Sequence, residues 1–115
     1  MIIDPEHLFR MLCDPVRLRC VLLIRQEGSL CVCELTHALD LDQPKISRHL
    51  ARLRRGKLLL DERRGQWVHY RLHPDLPDWV LTVIDAARTG QKATQYQQDD
   101  RQRLSAMVDR PNRCV

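Results

Sequence analysis

The chain has 115 residues, a length that suits one domain, and its 19 Lys and Arg against 15 Asp and Glu give a formal net charge of +4. This basic balance favours a polyanionic partner. No apolar run approaches the length of a membrane span, and the first residues lack the order of a secretion signal, so we predict no membrane association. Five cysteines without the spacing of a disulfide framework indicate a reducing, cytoplasmic setting.

Two start signals predict the first two helices. Asp4-Pro5 and Asp14-Pro15 each place an N-cap residue before a proline. Proline at the first helical position costs little, because the backbone N–H there has no partner within the helix. The second helix is predicted to end near Gly28.

A Cys-Val-Cys-Glu sequence then stands at the expected start of a third helix. Cys31 occupies the place of Ser or Thr in a capping box, with Glu34 three residues later. Because an N-cap residue is not itself helical, Cys31 can turn back toward Cys33, and the two sulfurs can share one ion. The helix dipole favours thiolate here, and thiolates select thiophilic ions. The alternative is that cysteine merely fills a half-buried capping site.

The fourth predicted helix is basic and follows after a short turn, with Asp42 as its N-cap. Ile46, Leu50 and Leu53 recur at helical spacing and form one narrow apolar stripe, opposite a wide cationic face. Helix, turn and basic helix form a helix-turn-helix, and such a helix suits the major groove of DNA. A solvated charged face is the alternative. The residues predicted to contact DNA are Gln43, Lys45, Ser47, Arg48, His49, Arg52 and Arg55.

After this helix, Gly56 is a candidate left-handed cap, and two strands are predicted at 58–60 and 66–72 with a charged hairpin tip between them. A wide apolar face then follows Pro77 and ends near Gly90. A domain of this size has little core left to cover it, so we predict a symmetric dimer contact to which the first helix contributes. The predicted interface residues are Leu8, Leu12, Trp79, Val80, Val83, Ile84 and Ala87.

The polar residues after this face predict either a weak helix from about 93 to 108 or disorder. Cys114, the penultimate residue, is interpreted as an incidental thiol at a flexible terminus.

Three motifs in order, LCVCELTHAL, QPKISRHLARLR and RRGQWVHYRL, resemble the ArsR/SmtB family of winged-helix metalloregulatory repressors, in particular its arsenic-responsive branch. The likeness covers most of residues 5–89. It implies a mainly α fold with a small β-hairpin (α+β), a homodimeric winged helix-turn-helix in residues 1–90, and a polar C-terminal tail in residues 91–115, partly helical or disordered. The hairpin would be the wing, with Arg63 and Arg64 on phosphate or in the minor groove.

The resemblance also implies a function. The protein would be a repressor without enzymatic activity that releases double-stranded operator DNA when trivalent arsenic or antimony binds Cys31 and Cys33, with no organic cofactor. The arsenic branch often has a third cysteine where this chain has Thr36. Cys13, a small thiol or hydroxide would then supply the third ligand.

Three alternatives remain open from the sequence. A cadmium-, lead- or zinc-responsive repressor, or a thiol redox-sensing repressor, would use the same cysteines on the same fold. A thiol oxidoreductase belongs to a different class, and no CxxC, catalytic triad or phosphate loop supports it.

Overall fold

The computed structural model describes residues 1–91 and 94–110. The chain forms, in order, α1 (Pro5–Leu12), α2 (Pro15–Glu27), β1 (Leu30–Cys31), α3 (Val32–Leu39), α4 (Gln43–Arg55), β2 (Leu59–Arg64), β3 (Trp67–Leu72), α5 (Asp78–Gln91) and α6 (Gln95–Ala106). The three strands form one antiparallel sheet in the order β1-β3-β2. The predicted class, mainly α with a small β-hairpin, is confirmed.

Side-chain caps explain where the helices begin. Asp4, Asp14 and Asp42 precede α1, α2 and α4, and each carboxylate accepts a backbone N–H of the first turn at 2.8 Å. A proline stands in the first turn of each of these helices. At the other end of α2, Gly28 has a φ of 90°, a left-handed conformation that glycine adopts without strain. These predicted boundaries are confirmed.

The end of α4 differs from the prediction. Gly56 has a φ of −76°, and Lys57, with a φ of 65°, takes the left-handed conformation instead. Gly56 is needed for another reason, because a Cβ atom there would collide with the sulfur of Met11. The Gly56 carbonyl also accepts a hydrogen bond from His7 Nε2 at 2.9 Å. The glycine thus lets α1 approach the end of the basic helix.

The hairpin is longer than predicted. The second strand continues to Arg64, which pairs with Trp67, so that the turn consists of Gly65 and Gln66 alone. Residues 61–64, predicted as part of the tip, are therefore strand. The φ of 63° at Gly65 explains why glycine stands in so tight a turn.

A third strand, β1, was not predicted. Its two residues pair antiparallel with β3, and the register places Leu30 opposite Tyr70 and Cys31 opposite His69. The first thiol of the Cys-Val-Cys sequence therefore belongs to the same sheet as the hairpin.

The core lies between the helices and one face of this sheet. The apolar stripe of α4 is fully buried, with Ile46, Leu50 and Leu53 each 0% exposed, as the spacing predicted. Four predicted interface residues, Leu8, Leu12, Val80 and Ile84, are also buried within their own subunit, so they are not available to a second one.

Other apolar side chains on α1 and α5 face outward. Phe9 is 55% exposed and Trp79 is 37% exposed, while Val83 and Ala87 are half-buried. The helical spacing could not separate the part of each apolar face that covers the subunit's own core from the part left uncovered.

The helix α6, which lies within the predicted range 93–108, packs on α2 and α3. Arg19 on α2 donates two hydrogen bonds to the carboxylate of Asp100, at 3.0 and 2.7 Å, and a third to the Leu39 carbonyl. Arg103 donates to the Ala38 carbonyl at 2.7 Å. Because Asp100 is only 2% exposed, this ion pair lies inside the fold rather than on its surface.

Candidate metal site and DNA-binding surface

Cys31 and Cys33 lie at the start of α3, as predicted. The backbone N–H of Cys31 donates to Glu34 Oε1 at 2.9 Å, and the N–H of Glu34 faces the Cys31 sulfur, which completes a capping box built on cysteine. Extended dihedral angles at Cys31 turn its side chain back, and the Cys33 thiol lies near enough to raise the pKa of the Cys31 thiol. The close approach that a shared ion requires is thus present in the folded chain.

Burial, rather than the helix dipole, sets the protonation of Cys31. This residue is 1% exposed, and the loss of solvent raises the pKa of its thiol well above the ordinary value. The hydrogen bond with Cys33 raises the pKa further, whereas the N–H of Glu34 lowers it by less. The prediction that this helix end would favour thiolate is wrong for Cys31, which is a neutral thiol near pH 7.

An open cavity of about 620 Å³ lies beside the two thiols. Its walls come from six parts of the fold: β1, α3, the first residue of α4, the hairpin turn, the start of β3, and the residue that follows α6. Besides the two cysteines, the lining residues are Val32, Thr36, His37, Gln43, Gln66, Trp67, Val68 and Met107, and most of the exposed wall is apolar. The cavity therefore joins the thiols to both DNA-reading elements of the predicted winged helix, the basic helix and the hairpin.

Among the residues that the structure describes, no third cysteine lies beside the two thiols. Cys13 caps α1 outside the cavity walls, and its thiol donates to the Arg10 carbonyl at 3.2 Å. The hydroxyl oxygen of Thr36 is buried and has no hydrogen-bond partner among the described residues. Across 1–91 and 94–110, no group of three or more His, Cys, Asp or Glu side chains is placed to hold a metal ion. Cys114 lies outside the described residues.

Most residues predicted to contact DNA lie on the outer side of α4 and on the hairpin. Those that are exposed are Gln43, Arg48, Arg52, Arg55, Arg63 and Arg64, and those that are half-buried are Lys45 and Ser47. The exposed set combines five guanidinium groups with one amide, the groups that pair with phosphates and with base edges.

The sequence matches the family described as "Bacterial regulatory protein, arsR family" over residues 14–56. It is also 50% identical over 114 residues to the arsenic resistance transcriptional regulator ArsR1 of Pseudomonas putida, covering 99% of this chain and 88% of that protein. The chain belongs to the ArsR family. A second relative, the arsenical resistance operon repressor of Escherichia coli (strain K12), is 57% identical over 83 residues, or 72% of this chain and 71% of the relative.

Solved structures agree with this ArsR-family assignment. The AntR antimony-specific transcriptional repressor superposes with a TM-score of 0.63 at 28% identity, covering 78% of each chain. HlyU from Vibrio cholerae superposes with a TM-score of 0.66 at 28% identity, covering 73% of this chain and 87% of that one. The ArsR-family chain is thus a winged helix-turn-helix, DNA-binding transcriptional repressor and not an enzyme. Among its described residues, no helix has the length and apolar character that crossing a bilayer requires.

His49 is the one predicted DNA contact that this ArsR-family chain turns inward. Its Nε2 lies 3.8 Å from Asp14 Oδ1, and its Nδ1 lies 3.5 Å from a guanidinium nitrogen of Arg17. Burial, the largest cause, lowers the pKa of the imidazole. Arg17 is itself buried and donates to the Met11 carbonyl at 2.8 Å. His49 therefore connects the basic helix to the start of α2 and does not belong to the outer face of α4.

Sequence reasoning missed one contact of the thiol site, that of Arg110. Its Nε donates to Glu34 Oε2 at 2.7 Å, and a second guanidinium nitrogen donates to Glu27 Oε1 at 3.0 Å. Glu34 is 0% exposed, so a single buried carboxylate joins the backbone of Cys31 to the segment after α6. In the sequence, Arg110 is one of several arginines in a polar segment, and nothing near it indicates a contact with Glu34.

Proposed function

We propose that this chain is the homodimeric repressor of an arsenical-resistance operon and leaves its operator when trivalent arsenic or antimony binds Cys31 and Cys33. The observation that carries the proposal is the pair of thiols at the start of α3, both of which line a cavity that the basic helix and the hairpin also border. The names of the relatives support the metalloid, since two are arsenical-resistance regulators and the AntR structure is titled antimony-specific. The proposal needs no organic cofactor.

Neutral thiols suit a trivalent metalloid hydroxide. Each arsenic–sulfur bond forms as an arsenic–oxygen bond breaks, and the thiol proton leaves with the hydroxide as water. The buried site therefore gains no net charge. A divalent cation such as cadmium, lead or zinc would require both thiols to release protons to solvent, which the raised pKa of Cys31 opposes.

The DNA-binding surface follows from the exposed groups. Two copies of α4 would enter successive major grooves, with the two hairpins on the flanking phosphates. The outward apolar side chains of α1 and α5, chiefly Phe9 and Trp79, are proposed as the contact between subunits. The proposed DNA contacts are Gln43, Lys45, Ser47, Arg48, Arg52, Arg55, Arg63 and Arg64.

Two connections would carry the signal from the thiols to the DNA. Drawing Cys31 and Cys33 onto one atom distorts the first turn of α3, which packs against α4. The same distortion pulls on β1, whose Cys31 is paired with His69 of the hairpin. A coupling free energy of about 1–3 kcal/mol would weaken operator binding roughly five- to 150-fold.

The test replaces both thiols. The double variant Cys31→Ser/Cys33→Ser should bind an operator fragment as tightly as the wild type but fail to leave it when arsenite is added. Fluorescence anisotropy of labelled DNA, selected by the protein from a random pool, measures both properties. Cys13→Ser is the matched control, because this thiol lies outside the cavity, and it should respond like the wild type.

Other outcomes would favour the alternatives. Release of the double variant by arsenite would place the inducer site elsewhere. Release by peroxide without arsenic, reversed by dithiothreitol, would indicate a redox sensor, which the position of both thiols on one cavity also permits. Tighter binding of cadmium than of arsenite in direct competition would indicate a divalent-ion sensor.

A further inference from the structure

Residues 107–110 follow the last helix and return to the thiol site. Met107 lines the cavity beside the thiols, and three residues later Arg110 contacts the first turn of α3. The Arg110 Nε donates to Glu34 Oε2 at 2.7 Å, while Glu34 Oε1 accepts the backbone N–H of Cys31 at 2.9 Å. One carboxylate therefore connects this segment to the residue that carries the buried thiol.

The segment is held mainly at its far end. Met107 is half-buried, Val108 is 87% exposed and Asp109 is exposed, so these three residues bury little apolar surface. Arg110, by contrast, is 9% exposed and donates a second hydrogen bond, to Glu27 Oε1 at 3.0 Å. Two charge-assisted hydrogen bonds thus fasten a segment whose remaining residues contribute little burial.

The cavity wall that includes Met107 covers a thiol with almost no contact with water. Cys31 is 1% exposed although it borders an open cavity of about 620 Å³, whereas Cys33 is half-buried. Most of the other lining residues belong to helices or strands, but Met107 lies beyond the end of α6. Local opening begins where few apolar contacts are buried. By this criterion, residues 107–110 open more readily than the helices and strands of the wall.

We infer that residues 107–110 form a strap that closes the thiol cavity, fastened by Arg110 on Glu34 and Glu27, and that release of the strap admits reagents to Cys31. The inference adds regulation to the thiol site, and its importance for induction rests on the proposed function. Because Glu34 accepts hydrogen bonds from both Arg110 and the Cys31 backbone, the strap and the first turn of α3 share one anchor. A ligand that distorts this turn therefore loosens the strap, and a loosened strap favours the ligand.

The experiment measures the rate at which iodoacetamide alkylates each cysteine of the reduced full-length protein. Mass spectrometry of peptides separates Cys31 from Cys20, which is 0% exposed in the core and does not line the cavity. When opening and closing are faster than alkylation, each rate follows the fraction of molecules in which that thiol is accessible. Release of the strap exposes little surface, so the Cys31 rate should hardly change in low urea, whereas the Cys20 rate should rise steeply.

Glu27→Gln weakens one of the two fastening hydrogen bonds, because an amide oxygen replaces a carboxylate. The Cys31 rate should rise about three-fold and remain insensitive to low urea. Glu6→Gln is the matched control, since it makes the same change of charge in an ion pair with Arg10 whose side chains are 83% and 64% exposed. The control should leave the Cys31 rate unchanged.

A double variant removes the fastening altogether. Arg110→Met alone leaves the Glu34 carboxylate buried without the guanidinium, so Arg110→Met is combined with Glu34→Gln, which removes the second charge as well. The new side chain keeps an amide oxygen for the Cys31 N–H. The Cys31 rate should rise about ten-fold or more, since two hydrogen bonds between charged groups are lost.

Val80→Ala separates a strap from a general loss of stability. Val80 is 0% exposed on α5 and does not line the cavity, so its truncation destabilises the fold without altering residues 107–110. It should raise the Cys20 rate several-fold and leave the Cys31 rate unchanged. If residues 107–110 served stability alone, every destabilising substitution would raise the two rates together.

The results separate this inference from the proposed function. A Cys31 rate that neither Glu27→Gln nor the double variant changes, or one with the urea dependence of Cys20, would overturn the strap, even if arsenite releases the wild type from its operator. Faster alkylation of Cys31 in both variants, together with a wild type that arsenite does not release, would support the strap and contradict the proposed function.

Discussion

The two halves of the helix-turn-helix differ in burial and in charge. The start of α3 is buried, uncharged at its thiol and held by hydrogen bonds that span much of the chain. The outer face of α4 is exposed and cationic, and its geometry depends only on the helix that carries it. The outer face of α4 can thus be changed one side chain at a time, whereas the thiol site depends on contacts with distant parts of the chain. Changes on the outer face of α4 should alter the affinity for DNA, and changes at the start of α3 should alter the free energy of unfolding.

The largest effect is expected from the ion pair behind the thiol site. Arg110→Met leaves the carboxylate of Glu34 buried without its cation, and breaking such a pair costs about 3–5 kcal/mol. Urea unfolding followed by circular dichroism measures the loss. The matched variant Arg54→Met breaks a pair with Asp61 whose side chains are 46% and 35% exposed, and it should cost less than about 1 kcal/mol. Equal losses of unfolding free energy in the two variants would contradict the expected difference between a buried and an exposed ion pair.

An intermediate effect is expected on the outer face of α4. Replacing Arg48 and Arg52 together by alanine should weaken operator binding roughly 100-fold, because each guanidinium contributes about 1–3 kcal/mol through bases or phosphates. The slope of log K against log salt should fall by about one for each lost phosphate contact. The free energy of unfolding should stay within about 0.5 kcal/mol of the wild type, since both side chains are exposed.

That double variant should still bind the inducer with unchanged affinity. An unchanged salt slope would remove Arg48 and Arg52 from the DNA contact. A loss of inducer binding would show that the thiol site depends on the side chains of the outer face of α4.

The smallest effect is a pH dependence that arises from two buried thiols, Cys31 at the start of α3 and Cys20 in the core. Burial raises the pKa of Cys31, and it raises the pKa of Cys20 in the core to about 12. In the unfolded chain both thiols ionise near their reference value of 9.0, so above this pH the folded chain holds more protons. Stability should therefore fall as pH rises, by up to about 1.4 kcal/mol per unit for each thiol.

Cys31→Ala removes the contribution of one of these thiols. Its free energy of unfolding should decline less steeply than that of the wild type between about pH 9 and 10, as measured by urea unfolding in parallel buffers. Identical slopes would mean that Cys31 ionises in the folded protein as readily as in the unfolded one.

The features of this molecule that could be predicted are those with a local cause. The N-caps Asp4, Asp14 and Asp42 and the buried stripe of α4 follow from a few neighbouring residues. The capping box at Cys31 follows from a four-residue motif. Where the sequence carries this local information, the predicted helix starts and the predicted capping box agree with the structure.

The remaining features have causes that are distant in the sequence. Arg110 meets a carboxylate 76 residues away, and Arg19 meets Asp100 across 81 residues, so neither contact has a local signature. The pKa of Cys31 depends on burial by the folded chain, which outweighs the dipole of its own short helix. The two-residue strand β1 is too short to produce any alternation in the sequence.

The brevity of β1 has a consequence for how sensitively the repressor responds. It is an edge strand with two residue pairings, so its pairing with β3 contributes a net of only about 0.5–1.5 kcal/mol per hydrogen bond, while the buried Leu30 holds it to the core. This magnitude resembles the coupling of about 1–3 kcal/mol that regulators of this kind need. If the inducer binds Cys31 as proposed, a longer strand would resist the distortion of the hairpin, and a chain without the strand would lose one of the two connections between the thiols and the DNA. On this proposal, the length of β1 determines how strongly inducer binding changes the hairpin.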